Sequence, residues 1–164
     1  MADDLTGGCS CGAVRYRLTQ PPIFVHCCHC TWCQRETGSA FVINILIEAD
    51  AVETVKGAPI PISTPTASGK PQSISRCPDC HVALWSTYGG SGPAIRFVRA
   101  GTLDNPSSAP PDIHIFTASK VSWVDLPEGA TAVLEFYDYE TTWPAESFAR
   151  RAAARAGNAS RETR

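Results

Sequence analysis

The sequence predicts a mainly β domain of antiparallel sheets ending in a short helix or tail, and three observations carry that reading. Val14, Tyr16 and Leu18 alternate with Arg15, Arg17 and Thr19, a period of two that places the apolar set on one face of a strand. The run Phe41-Val42-Ile43-Asn44-Ile45-Leu46-Ile47 is apolar on both faces, rich in β-branched residues and too short for a buried helix, so it reads as a central strand covered on both sides. Turn-forming clusters at Gly89-Gly90-Ser91-Gly92-Pro93, Asn105-Pro106 and Pro110-Pro111 separate further short segments.

Those segments are expected as strands at Ala94 to Arg99, Ile113 to Thr117 and Ala132 to Tyr139. Between Ala49 and Ser75 four prolines among Ser, Thr and Gly suit weak edge strands and an exposed loop around Ser68-Gly69-Lys70-Pro71. Asn44, inside the central strand, requires buried partners. Helix formers cluster only at the end, where Pro144 suits a first turn and Ala145 to Ala156 runs up to Gly157. The expected organisation is a β domain over residues 1–143, followed at 144–164 by a basic, partly helical or disordered tail carrying Arg150, Arg151, Arg155, Arg161 and Arg164.

At 164 residues, 43% apolar and 18% charged with a net charge of -2, the composition is that of one globular domain and excludes a generally basic nucleic-acid binder. The longest apolar stretch falls far short of the roughly 20 residues needed to cross a bilayer. Met1 to Gly8 lacks a basic segment followed by an apolar run, so a cytoplasmic location is expected.

Eight cysteines are then the anomaly. In a reducing compartment clustered thiols are metal ligands more often than disulfides. Cys77-Pro78-Asp79-Cys80 is a knuckle in which both sulfurs converge, which makes half of a tetrahedral Zn²⁺ site. Cys9-Ser10-Cys11, with Gly7, Gly8 and Gly12 permitting a tight backbone, makes another half. Joined, the four close a structural site and leave Cys28, Cys30 and Cys33 as three ligands with an open position, the form catalytic zinc takes. The alternative pairs Cys30 and Cys33 with Cys77 and Cys80, but the segment 34–76 is longer than such ribbons usually allow. Cys27 adjoins Cys28 and so points to the opposite side; it reads as a small buried hydrophobe, and His29 faces the same objection. His26, His81 and His114 remain candidates for a fourth ligand.

The ordered set Gly7-Gly8-Cys9-Ser10-Cys11-Gly12-Ala13-Val14-Arg15-Tyr16 and Cys28-His29-Cys30-Thr31-Trp32-Cys33-Gln34-Arg35-Glu36-Thr37-Gly38 resembles the glutathione-dependent formaldehyde-activating enzyme family, which includes centromere protein V. Cys77-Pro78-Asp79-Cys80 with Leu84-Trp85, Arg99 to Asp104, and Pro111 through His114-Ile115-Phe116, Lys120 and Trp123 agree with it. The resemblance implies an Mss4-like antiparallel β fold and two zinc ions per chain. Cys9, Cys11, Cys77 and Cys80 would hold the first, and Cys28, Cys30 and Cys33 a second, exchangeable and partly occupied one. Two departures stand out: Arg76 replaces an aromatic before the knuckle, and His81 replaces a glycine after it, where the backbone calls for positive φ.

Three thiolates give Zn²⁺ a formal charge of -1, which blunts its activation of water and favours a further sulfur ligand. The resemblance supplies the substrates: a small-molecule thiol, glutathione, and formaldehyde, in carbon-sulfur lyase chemistry that forms or breaks S-hydroxymethylglutathione. Arg35, Lys120 and Arg96 are candidate cations for the glutathione carboxylates, and Trp32 and Trp123 candidate walls of a pocket. The alternative is a non-catalytic, zinc-stabilised module that binds a protein or nucleic-acid partner, since fold does not fix function.

Overall fold

A computed structural model describes residues 5–162, with side chains described through residue 159. Among the described residues ten strands form two sheets. β1 (Leu5–Gly8), β2 (Arg15–Leu18) and β5 (Val52–Lys56) make a three-stranded antiparallel sheet in the order β1-β2-β5. The larger sheet contains β3 (Phe24–Cys28), β4 (Val42–Glu48), β6 (Ile60–Thr64), β7 (Gln72–Arg76), β8 (Ala83–Tyr88), β9 (Ile95–Arg99) and β10 (Ile113–Ile115) in the order β10-β3-β4-β9-β8-β7-β6. Its pairs are antiparallel except β10 with β3, which run parallel.

The period-two pattern determines what each face buries. Tyr16 and Leu18 of β2, with Val14 just before it, pack against Val25, Ile45, Ile47, Leu84, Trp85 and Val98 to form the core between the two sheets. Phe24, Cys28, Val42, Leu46, Phe97 and Ile113 face the other way and are covered by Trp143 and by residues after β10. β4 thus lies inside the large sheet, between β3 and β9, with apolar side chains on both faces, as its apolar run requires. Asn44 finds its partner in Arg99, whose Nη1 donates to Oδ1 at 2.5 Å. Pro61 is tolerated because β6 is an edge strand.

Two expectations require correction. Ala132 to Tyr139 is not a strand. It bridges His114 only through Ala132 and then runs irregularly beside residues 114–118, with its aromatic residues turned into a ring cluster. Phe136 stacks on Tyr137 there, and Tyr139 packs edge to face against both and against Trp143, so side-chain packing overrides the β propensity. Helix is also not confined to the end of the chain. α1 (Thr31–Thr37) carries part of the cysteine cluster, and α2 (Tyr139–Thr142) precedes α3 (Ala145–Glu162). Seven residues give α1 too little periodicity to reveal it; Cys30 caps its start and Gly38, at φ 65°, ends it.

α3 continues through Gly157 to Glu162, the lone glycine costing about 1 kcal/mol among good helix formers. It is held to the large sheet by Arg150, which pairs with Glu48 through two bonds of 2.9 and 2.7 Å and reaches the carbonyls of Pro21 and Pro22. No described helix is long and apolar enough to cross a membrane.

Tyr16 ties the two sheets together, with its ring against Trp85 and its hydroxyl 2.7 Å from Thr102 Oγ1. Burial pushes its phenol up from 10.0 to about 12. The folded state therefore holds the proton more tightly than the unfolded state. The stability this contributes is complete below pH 10 and is lost as pH rises toward 12. Tyr16→Phe should cost about 1 kcal/mol at pH 7 through the lost hydrogen bond. By pH 11 that deficit should close, because native protein alone pays for holding the phenol protonated; urea unfolding of both proteins at the two pH values measures this.

Candidate metal centres

The turn between β1 and β2 presents Cys9 and Cys11, and the turn between β7 and β8 presents Cys77 and Cys80. All four sulfurs lie within 4.8 Å of one another. Cys9 and Cys11 are 3.5 Å apart, and Cys11 and Cys77 3.7 Å. Two sulfurs about 2.3 Å from a tetrahedral ion are separated by about 3.8 Å, so the spacing fits a Zn²⁺ ion, and it is far too long for a disulfide. The local backbone explains the convergence. Gly12 adopts φ 74° as the first turn closes, and a side chain at Gly7 would collide with Thr102 and Tyr16.

The knuckle is closed by His81 N–H donating to Cys77 O at 3.1 Å, with His81 itself at φ 60°. The imidazole residue therefore accepts the left-handed conformation that glycine would take without strain. Arg76 braces it by donating to the His81 carbonyl at 3.1 Å, and Arg76 also pairs with Glu36 on α1. Both departures from the family pattern thus act on one turn. Burial opposes the Cys9 thiolate, but the Val14 N–H and the thiols of Cys77, Cys11 and Cys80 outweigh it and hold the group at about 6. Cys11 is favoured as thiolate by the Ala13 N–H, yet Cys9 and Cys80 push it up to about 12. Cys80 is also drawn down, first by the Val82 N–H, and a cation would turn all four thiols into ligands.

Cys28, Cys30 and Cys33 form a second group, also within 4.8 Å, on the opposite face of the large sheet. Cys28 ends β3, and Cys30 caps α1 by accepting from the Cys33 N–H at 3.3 Å. Hydrogen bonds with Cys28 and Cys33 pull the Cys30 thiol far down, and bonds with Cys30 and Cys33 push Cys28 up. Cys30 is thus the first of the three to ionise. The peptide joining them is pinned: the His29 carbonyl accepts from Gln34 Nε2 at 2.7 Å and from Ser119 Oγ at 3.0 Å, and the His29 N–H donates to Ile115 O. Among the described residues no fourth His, Cys, Asp or Glu donor joins this group.

His26 lies on the same face but bonds Tyr137 Oη at 2.5 Å through Nε2. His81 stays with the first cluster. Cys27 points the other way, as strand alternation requires, and meets His29 and His114. The two rings of that trio approach to 3.0 Å between His29 Nε2 and His114 Nδ1, which is a hydrogen-bond length and shorter than the roughly 3.3 Å edge of two nitrogens on tetrahedral zinc.

A cavity of about 660 Å³ opens beside the second cluster, with Cys30, Cys33, Trp32, Arg35, Tyr88 and Phe116 in its wall. Trp32 and Arg35 therefore reach the site. Lys120 does not line it; its Nζ donates to the carbonyls of Val121 and Val124 at 3.2 and 2.5 Å. Arg96 lies elsewhere, over the Trp85 ring and bonded to Val52 O at 2.9 Å, and Trp123 is exposed away from the cavity. Arg99, counted among the motifs of the resemblance but not among the candidate cations, lines the cavity from β9. Its signal was present: Ile95, Phe97 and Arg99 alternate on one face, which puts a cation in an apolar row.

These features define a class, a mainly β protein whose clustered thiols can hold metal ions. The chain belongs to the glutathione-dependent formaldehyde-activating enzyme family, whose profile matches residues 4–119. A Halomonas elongata protein that carries the provisional name of glutathione-dependent formaldehyde-activating enzyme is 30% identical over 131 residues, covering 74% of this chain and 80% of that protein. A crystal structure of a Rhodobacter sphaeroides protein aligns at 21% identity with a TM-score of 0.48, covering 63% of this chain and 94% of that one.

Because His81 holds a conformation that costs an L-residue about 1 kcal/mol, His81→Gly should raise stability by about 0.5–1 kcal/mol. Thermal unfolding of the zinc-loaded protein checks this; a melting temperature unchanged or lowered would show that the imidazole contributes more than its backbone strain costs.

Proposed function

We propose that the protein joins a small-molecule thiol to formaldehyde, or separates them, at the Cys28, Cys30 and Cys33 cluster, with glutathione as the thiol and S-hydroxymethylglutathione as the adduct. The observation that carries this is the second cluster itself: three sulfurs converge without a fourth donor among the described residues, and a cavity opens at Cys30 and Cys33. Family membership supports the choice of glutathione and formaldehyde. The four-sulfur cluster is assigned a structural Zn²⁺, and the three-sulfur cluster a second Zn²⁺.

In the forward direction the thiol sulfur attacks the carbonyl carbon, a carbon-sulfur bond forms, the C=O π pair moves to oxygen, and the thiol proton ends on that oxygen. When bound at the second cluster, Zn²⁺ supplies a soft fourth position at which a sulfur can be held in its nucleophilic form. The chain does the rest. Gln34 and Ser119 fix the peptide from Cys28 to Cys30, so the three sulfurs keep one geometry. Trp32, Tyr88 and Phe116 exclude water from one side of the adduct, and Arg35 is available to a glutathione carboxylate.

Metal analysis of the purified chain should give two Zn²⁺ per molecule, one of them lost to mild chelation while the other is retained; a single ion, or two that resist chelation equally, would remove the open-site reading. Exchange between free and thiol-bound formaldehyde, followed by NMR with glutathione, should be faster with native protein, and Cys30→Ser should lose at least about tenfold of that acceleration. If exchange with and without protein is the same, the domain is a zinc-stabilised binding module instead.

A further inference from the structure

Arg99 is 5% exposed, yet no carboxylate among the described residues pairs with it. Its Nη1 donates to Asn44 Oδ1 at 2.5 Å and its Nη2 to Ser86 Oγ at 3.1 Å, both neutral acceptors, and its buried Nε has no partner. Of the two acids in the cavity wall, Glu36 is taken by Arg76 and Glu135 makes no ion pair with Arg99. A buried, unpaired cation costs several kcal/mol, so an anion has to face it for the arrangement to persist.

Strand register shows where that anion lies. Asn44 stands opposite both His26 and Arg99, and Val42, two residues along β4 on the same face, stands opposite Cys28. Arg99 therefore shares the face that carries Cys28, Cys30 and Cys33, and it lines the cavity those last two open onto. Its charge is felt there. At Tyr88, burial pushes the phenol up and Arg99 is the leading influence against it.

We propose that Arg99 is the counter-charge of the Cys28, Cys30 and Cys33 cluster, a positioning residue that stabilises its thiolates and the further negative charge of a substrate thiol seated among them. The inference rests on the second cluster being the metal and thiol site proposed above. Three thiolates leave a zinc site at -1, and a fourth sulfur bound as thiolate takes it to -2. In a half-dry cavity a fixed cation offsets that accumulation, and it selects ligands that bind as soft anions over neutral ones. Arg99 reads the charge on sulfur, so any thiol benefits, whether or not it carries carboxylates.

The test uses the full chain, native and as Arg99→Gln, Arg99→Lys and Asn44→Asp, with Co²⁺ in the metal sites so that thiol binding is read from the sulfur-to-cobalt charge-transfer band. The probes are glutathione and 2-mercaptoethanol, and chelator competition measures retention of each metal. Arg99→Gln should weaken both thiols by about tenfold or more and hasten metal loss from the second cluster only, while Arg99→Lys recovers most of the affinity. Asn44→Asp, which neutralises Arg99 in place, should follow Arg99→Gln and carries the test if the glutamine variant does not fold. Native-like thiol affinity and metal retention in both charge-removing variants overturn the proposal. So does a loss seen with glutathione alone, which would make Arg99 a carboxylate anchor. If native protein binds neither thiol, the proposed function fails, while the chelator arm still reports whether Arg99 stabilises the cluster.

Discussion

Four sulfurs from two turns converge, and most of the fold is arranged around that convergence. Cys9 and Cys11 belong to the small sheet and Cys77 and Cys80 to the large one, so the cluster ties the sheets at the end of their shared core. The core itself is made of short strands, four residues each in β1 and β2, which on their own bury little surface. A metal ion held by all four sulfurs would contribute its binding free energy directly to folding and offset the small core of a loop-rich domain of this length. The tight turn at Gly12 and the left-handed knuckle at His81 are backbone conformations that this convergence demands.

The other organising element is strand alternation in β3. Because successive residues point to opposite faces, the adjacent pair Cys27 and Cys28 is split between two environments. Cys28 enters the cluster beside the cavity, whereas Cys27 lies against His29 and His114, where burial pushes its thiol up to about 12. One side of the sheet thus carries ionisable thiols near a cation, and the other a dry hydrogen-bonded group. Adjacent cysteines of the same type acquire different chemistry from a single backbone step.

Much of this was legible in the residues. The alternation at Val14, Tyr16 and Leu18 and the apolar run after Phe41 located β2 and β4, because burial on one face or on both leaves a direct mark on sequence. Cysteine spacing grouped the sulfurs in the sets that the structure brings within 4.8 Å. What stayed hidden depended on tertiary contacts. α1 is too short to show a period, and Ala132 to Tyr139 has strand-like composition but spends its aromatic rings on one another. Lys120 and Arg35 look equivalent as cations, and only the fold turns one back onto its own loop and the other into the cavity. Arg99 stood out in the sequence only as a cation in the apolar row of Ile95 and Phe97, and strand pairing was needed to set Asn44 and Cys28 on its face.

The sequence separation of the converging sulfurs also has a consequence in time. Cys11 and Cys77 are 66 positions apart, and His29 and His114 are 85. At a synthesis rate of about 5–20 residues per second, Cys11 waits roughly 3 to 13 seconds for Cys77 to be made. Cys9 and Cys11 are translated well before the β7–β8 turn exists to receive them. The nascent chain therefore passes through a stage in which its most reactive groups are uncovered, and its safe assembly depends on a reducing environment around the ribosome as much as on the stability of the finished fold.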